Sequence, residues 1–352
     1  MFIDQKIILQ LSFLTLIVIA FICNTYNFKI KIKYGAFIFS FISLLLFYNY
    51  STFNLSNTGS DYDLYCKVIC DPFFNKAFWI NREFLFWRVL YFYNLIFNYK
   101  CSTLFTIYMA PLFYGFFYYC CKISKVFLKN KDNFINFSLI PITIILIPYL
   151  NLFQNHLRSG ASYSFLIAGF YFLLVNKYTK ATITFIVGFF IHNSIIIFIP
   201  VLLIYKFKNK LKFYSYFLTM VLYFFYAYIL EFATVFLNKG TGNETYAICV
   251  IYISLLIFWL GLPYLIKYST NSSGLIIKIE NIITFTKILS ISLIPFILLS
   301  FNALLLLRLT LYYYVLFTPL LLGIFNLEYK NKFQLNLILF LVLIPSIYNI
   351  IG

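Results

Sequence analysis

Along the chain, apolar runs long enough to cross a bilayer alternate with short polar gaps. A spanning helix needs roughly 17–25 mostly apolar residues. Runs of that kind cover 7–23, 34–50, 104–121, 134–150, 211–230, 246–266, 288–306, 310–327 and 333–350, and a shorter one covers 160–176. The first run lacks a small-residue cleavage site and is expected to persist as a span. No internal repeat and no soluble stretch interrupts the series. The pattern predicts an all-α polytopic integral membrane protein in which residues 1–352 form a single transmembrane domain.

Two segments do not fit a simple alternation. Residues 79–99 are apolar but carry Arg82, Glu83 and Arg88, and residues 181–205 carry His192-Asn193-Ser194 at their middle with Pro200 beyond. Lysine placement bears on both, because cytoplasmic loops collect positive charge. The clusters Lys29/Lys31/Lys33, Lys122/Lys125/Lys129/Lys131, Lys177/Lys180, Lys206/Lys208/Lys210/Lys212, Lys267/Lys278/Lys287 and Lys330/Lys332 fall on one side only if neither segment crosses completely. The expected topology then has about ten transmembrane helices. An outer loop at about 51–103 holds an interfacial helix, and 181–205 is a re-entrant or broken segment with His192 near its tip. Irregular backbone at that depth is tolerated only where it is buried in protein or lines a wet cavity. In the alternative, one or both segments span and a lysine cluster is stranded outside.

Composition agrees with the pattern. The residues are 63% hydrophobic and 11% charged, against about half and a quarter in a soluble domain. A soluble enzyme, a disordered tail and a secreted disulfide scaffold are excluded. The net charge of +17 would suggest nucleic acid in a soluble protein, but here it lies in gaps between spans, so no nucleic-acid partner is expected. The seven cysteines have no zinc spacing and read as apolar filler. Cys66 and Cys70 are the one pair worth following, and inert thiols are expected there because their spacing on a helix suits a disulfide poorly.

Charge type then separates by side. On this topology most lysines are cytoplasmic, whereas all four arginines, Arg82, Arg88, Arg158 and Arg308, fall on the outer side or just inside it. The chain's bias toward Lys, Asn, Ile, Tyr and Phe is that of an AT-rich genome, in which arginine is retained where the guanidinium itself matters. Its planar fork grips phosphate or carboxylate with two hydrogen bonds. The competing reading is interfacial snorkelling.

Four places could carry chemistry. Gly59-Ser60-Asp61-Tyr62-Asp63-Leu64-Tyr65 mixes carboxylates with rings, a combination suited to sugars and also found in ordinary turns. In Phe153-Gln154-Asn155-His156-Leu157-Arg158-Ser159-Gly160-Ala161, Arg158 opens a helix whose free N–H groups and dipole favour an anion. His156 is a second contact or a structural histidine. His192 is a titratable group at membrane depth and can act as base, acid or donor. Arg308 follows the apolar Phe301–Leu307 and precedes Tyr312-Tyr313-Tyr314. An arginine costs about 2.5–3.5 kcal/mol at a helix centre and less near the interface, so a partner for Arg308 is expected. Two histidines and no compact ligand cluster argue against a metal.

These residues, in this order, resemble the EpsG/Wzy-like polymerases of bacterial exopolysaccharide, capsule and O-antigen synthesis. The features that carry the resemblance are Gly59-Ser60-Asp61 with Tyr65, Arg82-Glu83-Phe84, Leu157-Arg158-Ser159-Gly160-Ala161, Phe189-Phe190-Ile191-His192-Asn193-Ser194 with Pro200, and Arg308 with Tyr312–Tyr314. They run from about residue 30 to 330. The family usually has Gln after the first of these helix-opening arginines, where this chain has Ser159.

The resemblance implies a metal-independent membrane glycosyltransferase without cofactor, in the bacterial inner (cytoplasmic) membrane with an outward-facing site. Its substrates would be undecaprenyl-pyrophosphate-linked oligosaccharides, and its partners membrane lipid, a chain-length regulator and a lipid-sugar flippase. On that reading Arg158 and Arg308 bind pyrophosphate with Arg82 or Arg88 as a further contact. His192 is the base or acceptor-orienting group, with Asp61 and Glu83 competing for the role. Tyr65 and His156 complete the binding set. The rival readings are a flippase or exporter of the same lipid-linked sugars, a multispan acyltransferase and a purely structural membrane protein.

Overall fold

The structure is a computed structural model that describes residues 5–54, 84–97, 101–146, 157–236, 261, 264, 273–299 and 303–326. The described chain is mostly helical, and its helices are apolar on nearly every side, as expected of segments that meet protein on one face and lipid on the other. Two of them, Thr103–Phe127 and Ile279–Leu298, are long and apolar enough to cross a membrane. The other apolar stretches run 10–17 residues among the described residues. A count of ten crossings is not supported by these helices. The chain packs as two compact units. One takes the described residues up to Ile123 together with Asp132–Ile195, and the other takes Ser124–Lys131 and the described part of Ile196–Leu327.

The first unit begins with α1 (Gln5–Tyr26), β1 (Lys29–Lys31) and α2 (Ile32–Asn54). It continues through α3 (Phe84–Phe97) and α4 (Cys101–Phe127, whose last turn belongs to the other unit), then β2 (Phe134–Asn136) and α5 (Leu139–Leu146). It ends with α6 (Leu157–Leu174) and α7 (Tyr178–Ile191). Aromatic rings set its internal spacing. Phe39 of α2 stacks on Phe117 of α4 with centroids 4.4 Å apart, and Phe86 of α3 meets Tyr108 of α4 edge-on at 5.7 Å. Ser40 Oγ donates to the Ala110 carbonyl at 2.9 Å, giving the same helix pair a polar tie. The 14-residue α3 is about 21 Å long at the ordinary helical rise, shorter than the hydrocarbon layer.

The run 134–150, expected as one span, begins instead as a strand. Phe134–Asn136 pairs antiparallel with Lys29–Lys31, Ile30 lying opposite Ile135. Asn136 then turns the chain, its Oδ1 accepting from the Ser138 N–H at 3.1 Å, and α5 starts only after that turn. An Asx turn of this kind competes with helix for the same backbone groups.

The second unit contains α8 (Ile199–Lys206), α9 (Lys208–Leu211), α10 (Tyr214–Phe236), α11 (Ser273–Leu299) and α12 (Ala303–Phe325). Its core is pinned by buried tyrosines. Tyr223 donates its hydroxyl to the Ile197 carbonyl. The Tyr313 hydroxyl lies 2.8 Å from Ser292 Oγ, and the Tyr313 ring meets Phe198 edge-on at 5.4 Å. Sequence periodicity placed a helix junction between about 306 and 310. Helix α11 runs to Leu299 and α12 is already helical at Ala303, earlier in the chain than that junction. Helix α11 also starts earlier than expected, because Glu280 and Lys287 stay exposed on its surface and so do not end it. The expected runs at 246–266 and 333–350 lie essentially or wholly outside the described residues.

Candidate functional site

Helices α6 and α7 form the site's frame. Only Val175-Asn176-Lys177 separate them, so they return antiparallel as a hairpin. Small side chains let them approach closely: Ser159, Ala161 and Ser162 are buried on α6. Packing of this kind drives helix association in a membrane, where burial of apolar surface gains little. The register is fixed by two glycines. A Cβ on Gly169 would stand 2.5 Å from the Phe185 ring, and one on Gly188 would stand 3.0 Å from Phe165 Cβ and 3.3 Å from the Ser162 carbonyl.

That register decides where the functional side chains fall. Arg158 is the second residue of α6 and is part-buried. His192 caps α7 in extended conformation (φ −158°, ψ 123°), its N–H bonded to the Gly188 carbonyl at 2.9 Å. An antiparallel pair that matches Gly169 with Phe185 and Phe165 with Gly188 brings His192 level with about Ser162. Arg158 and His192 therefore lie at the same end of the hairpin, offset by about one helical turn, roughly 5.4 Å along the axis. A hydrogen bond closes this end: the Tyr163 hydroxyl is 3.3 Å from Ser194 Oγ.

Beyond His192 the helix does not resume directly. A 3-10 turn covers Asn193–Ile197 before α8 begins at Ile199 with Pro200 in its first turn. The segment 181–205 is therefore broken at the histidine. Asn193 is exposed, and His192 and Ser194 are part-buried. Helix α3 packs against α7 and carries a part-buried Arg88 beside the buried Trp87.

The other selected residues are distributed differently. Arg308 lies in the second turn of α12, inside a helix rather than at the junction expected for it, and belongs to the second unit. Asp61, Tyr65, Arg82, Glu83 and His156 lie outside the described residues, as do Cys66 and Cys70. Among the described residues, Cys23, Cys120 and Cys121 are buried thiols outside any disulfide, and no group of three His, Cys, Asp or Glu side chains could hold a metal ion.

Sequence reading did not single out Tyr163. The available signal was its position, a phenol hydroxyl in a run of small residues within an apolar span, where a buried hydroxyl needs a partner. Chemically, the hairpin end offers a guanidinium on a helix N-terminus, an imidazole, and hydroxyl and amide donors within one turn. That set can hold an anionic group and orient or deprotonate a hydroxyl beside it. No family model matches the chain, and no curated protein and no solved structure matches it either.

Proposed function

We propose that the protein is a polysaccharide polymerase that joins undecaprenyl-pyrophosphate-linked oligosaccharides at the outer leaflet of a bacterial inner membrane. The growing chain leaves its lipid carrier and is transferred to the terminal sugar of a new lipid-linked unit. The C–O bond to pyrophosphate breaks as a bond to the acceptor oxygen forms. The acceptor proton passes to a base, and lipid pyrophosphate departs. Catalysis then requires cations on the leaving group and a base beside the acceptor hydroxyl.

The observation that supports this reading is the hairpin end, to which Arg158 and His192 both belong, about one helical turn apart along the axis. In this reading Arg158 and Arg308 hold pyrophosphate, with Arg82 or Arg88 as a further contact. His192 orients or deprotonates the acceptor, a role for which Asp61 and Glu83 compete. The proposal keeps the topology of about ten spans with lysines inside and arginines outside. Deleting the gene and resolving the surface glycan on a gel tests it. A single repeat unit left on the lipid anchor is the expected result. Loss of all surface sugar identifies a flippase or exporter instead, and unchanged polymer overturns both readings.

A further inference from the structure

The ribbon formed by β1 and β2 has two chemically distinct faces. Directly opposed residues of an antiparallel pair share a face, so Ile30 and Ile135 project together to one side. That side packs inward: Ile135 is buried, and a Cβ on Gly35 of α2 would stand 3.0 Å from its Cδ1. The other side carries Lys29 and Lys31, both exposed, with the exposed Phe134 opposite Lys31. Asn136, opposite Lys29, turns into the protein and donates through Nδ2 to Asn27 Oδ1 at 3.1 Å. Lys33 follows at the start of α2, exposed, with its ammonium 4.8 Å above the Tyr34 ring. The one carboxylate near the ribbon in sequence is Asp132, two residues before β2 and also exposed.

The helices that lead into this ribbon fix its depth. On α1 the exposed side chains Leu11, Leu14, Val18 and Ile22 recur every three or four residues. On α2 Tyr34, Phe37, Phe41, Leu45 and Tyr48 do the same. Such stripes suit acyl chains. At the ribbon both give way to exposed rings and ammonium groups: Tyr26, Phe28, Tyr34 and Phe134 beside Lys29, Lys31 and Lys33. Aromatic rings prefer the headgroup layer, and lysines there face phosphate.

We infer that the outward face of this ribbon is a binding site for acidic phospholipid headgroups, with Lys29 and Lys31 as its two cationic contacts and Phe134 seated between them and the acyl region. Because the ribbon's inner face is packed on α2, the backbone positions of the two lysines are held at a set spacing, two residues apart on one strand. This differs from lysines in a loose loop, which attract the leaflet through net charge alone.

The test uses the purified full chain in nanodiscs of phosphatidylcholine with phosphatidylglycerol, which present the same lipid on both faces and remove orientation from the result. Spin-labelled phosphatidylglycerol and phosphatidylcholine report the relative affinity for the protein surface. The wild-type chain is expected to prefer phosphatidylglycerol several-fold. K29Q/K31Q is expected to lose most of that preference and K29R/K31R to keep it. K177Q/K180Q, which removes the same charge from the exposed α6–α7 turn and first turn of α7, is expected to keep it as well. No preference in the wild-type chain, or equal loss in the two glutamine pairs at unchanged helicity, would overturn the inference.

Discussion

The Tyr163 hydroxyl lies 3.3 Å from Ser194 Oγ, joining the interior of α6 to the first residues beyond the end of α7. Tyr163 is fully buried and the two residues are 31 positions apart. The bond therefore holds the break after His192 against the helix that carries Arg158. Tyr163→Phe is expected to cost about 0.5–1.5 kcal/mol, the usual net value of one hydrogen bond. Ser194→Ala should cost a similar amount, and the double variant little more than either, because both remove the same interaction. Thermal unfolding in detergent measures all three. Additive losses would show that the two hydroxyls act independently.

Close helix approach gives a second expectation. A Cβ at Gly188 would stand 2.7 Å from Ile195 Cδ1 and 3.0 Å from Phe165 Cβ. Gly188→Ala is expected to force the hairpin apart at a cost of roughly 1–3 kcal/mol, the usual range for overpacking. Gly115, in α4, has nothing within 4 Å of the corresponding position. There Gly115→Ala is expected to be neutral or to stabilise by up to about 1 kcal/mol, since glycine is a poor helix former. Equal effects of the two changes in the same unfolding assay would contradict the packing described.

The proposed anion contact distinguishes arginine from lysine. Arg158→Lys keeps one positive charge and removes the bidentate fork. On the proposed function it abolishes polymer while the protein remains at wild-type level in the membrane. Surface glycan on a gel, read beside membrane abundance on an immunoblot, checks this. Full-length polymer from the lysine variant would exclude a bidentate role.

A lysine at the end of the second unit predicts a pH dependence. Lys208 Nζ lies 3.9 Å over the Tyr205 ring and donates to Asn281 Oδ1 at 3.2 Å, while Asn281 Nδ2 donates to the Phe127 carbonyl at 3.2 Å. Burial lowers its pKa from 10.5 to about 8, nearby Glu280 opposing the shift and Lys129 adding to it. The folded state therefore disfavours the charged form, and the unfolded chain binds more protons between the two values. Stability from this group rises as pH increases from about 8 to 10.5 and is level below that window. Lys208→Met is expected to flatten this part of a stability–pH profile. A slope unchanged by the substitution would assign it to other groups.

Much of this architecture was legible in the sequence. Apolar runs marked α1, α2, α4, α6, α10 and α12 to within a few residues at most ends, because helices in such a setting end where apolar side chains end. Arg158 at the start of α6 was legible for the same reason, with an Asn-His pair before it and small residues after. The strand at Phe134–Asn136 was not. A stretch as short as Phe-Ile-Asn reads alike as the start of a helix or as a strand until its partner, 105 positions earlier at Lys29–Lys31, is known. Nor was the place of Arg308 legible, since an arginine in an apolar run looks like a boundary even when the helix continues through it.

By itself the sequence determined that the chain is largely helical and strongly apolar, and which residues could carry charge-based chemistry. Those properties follow from the local solvation of each segment. Tertiary structure alone decided that Arg158 and His192 share one end of a hairpin and that Tyr163 reaches Ser194. It alone decided that two short strands turn Lys29 and Lys31 to one face. Each depends on register between distant segments, which is set by glycine contacts and strand pairing that no local pattern encodes.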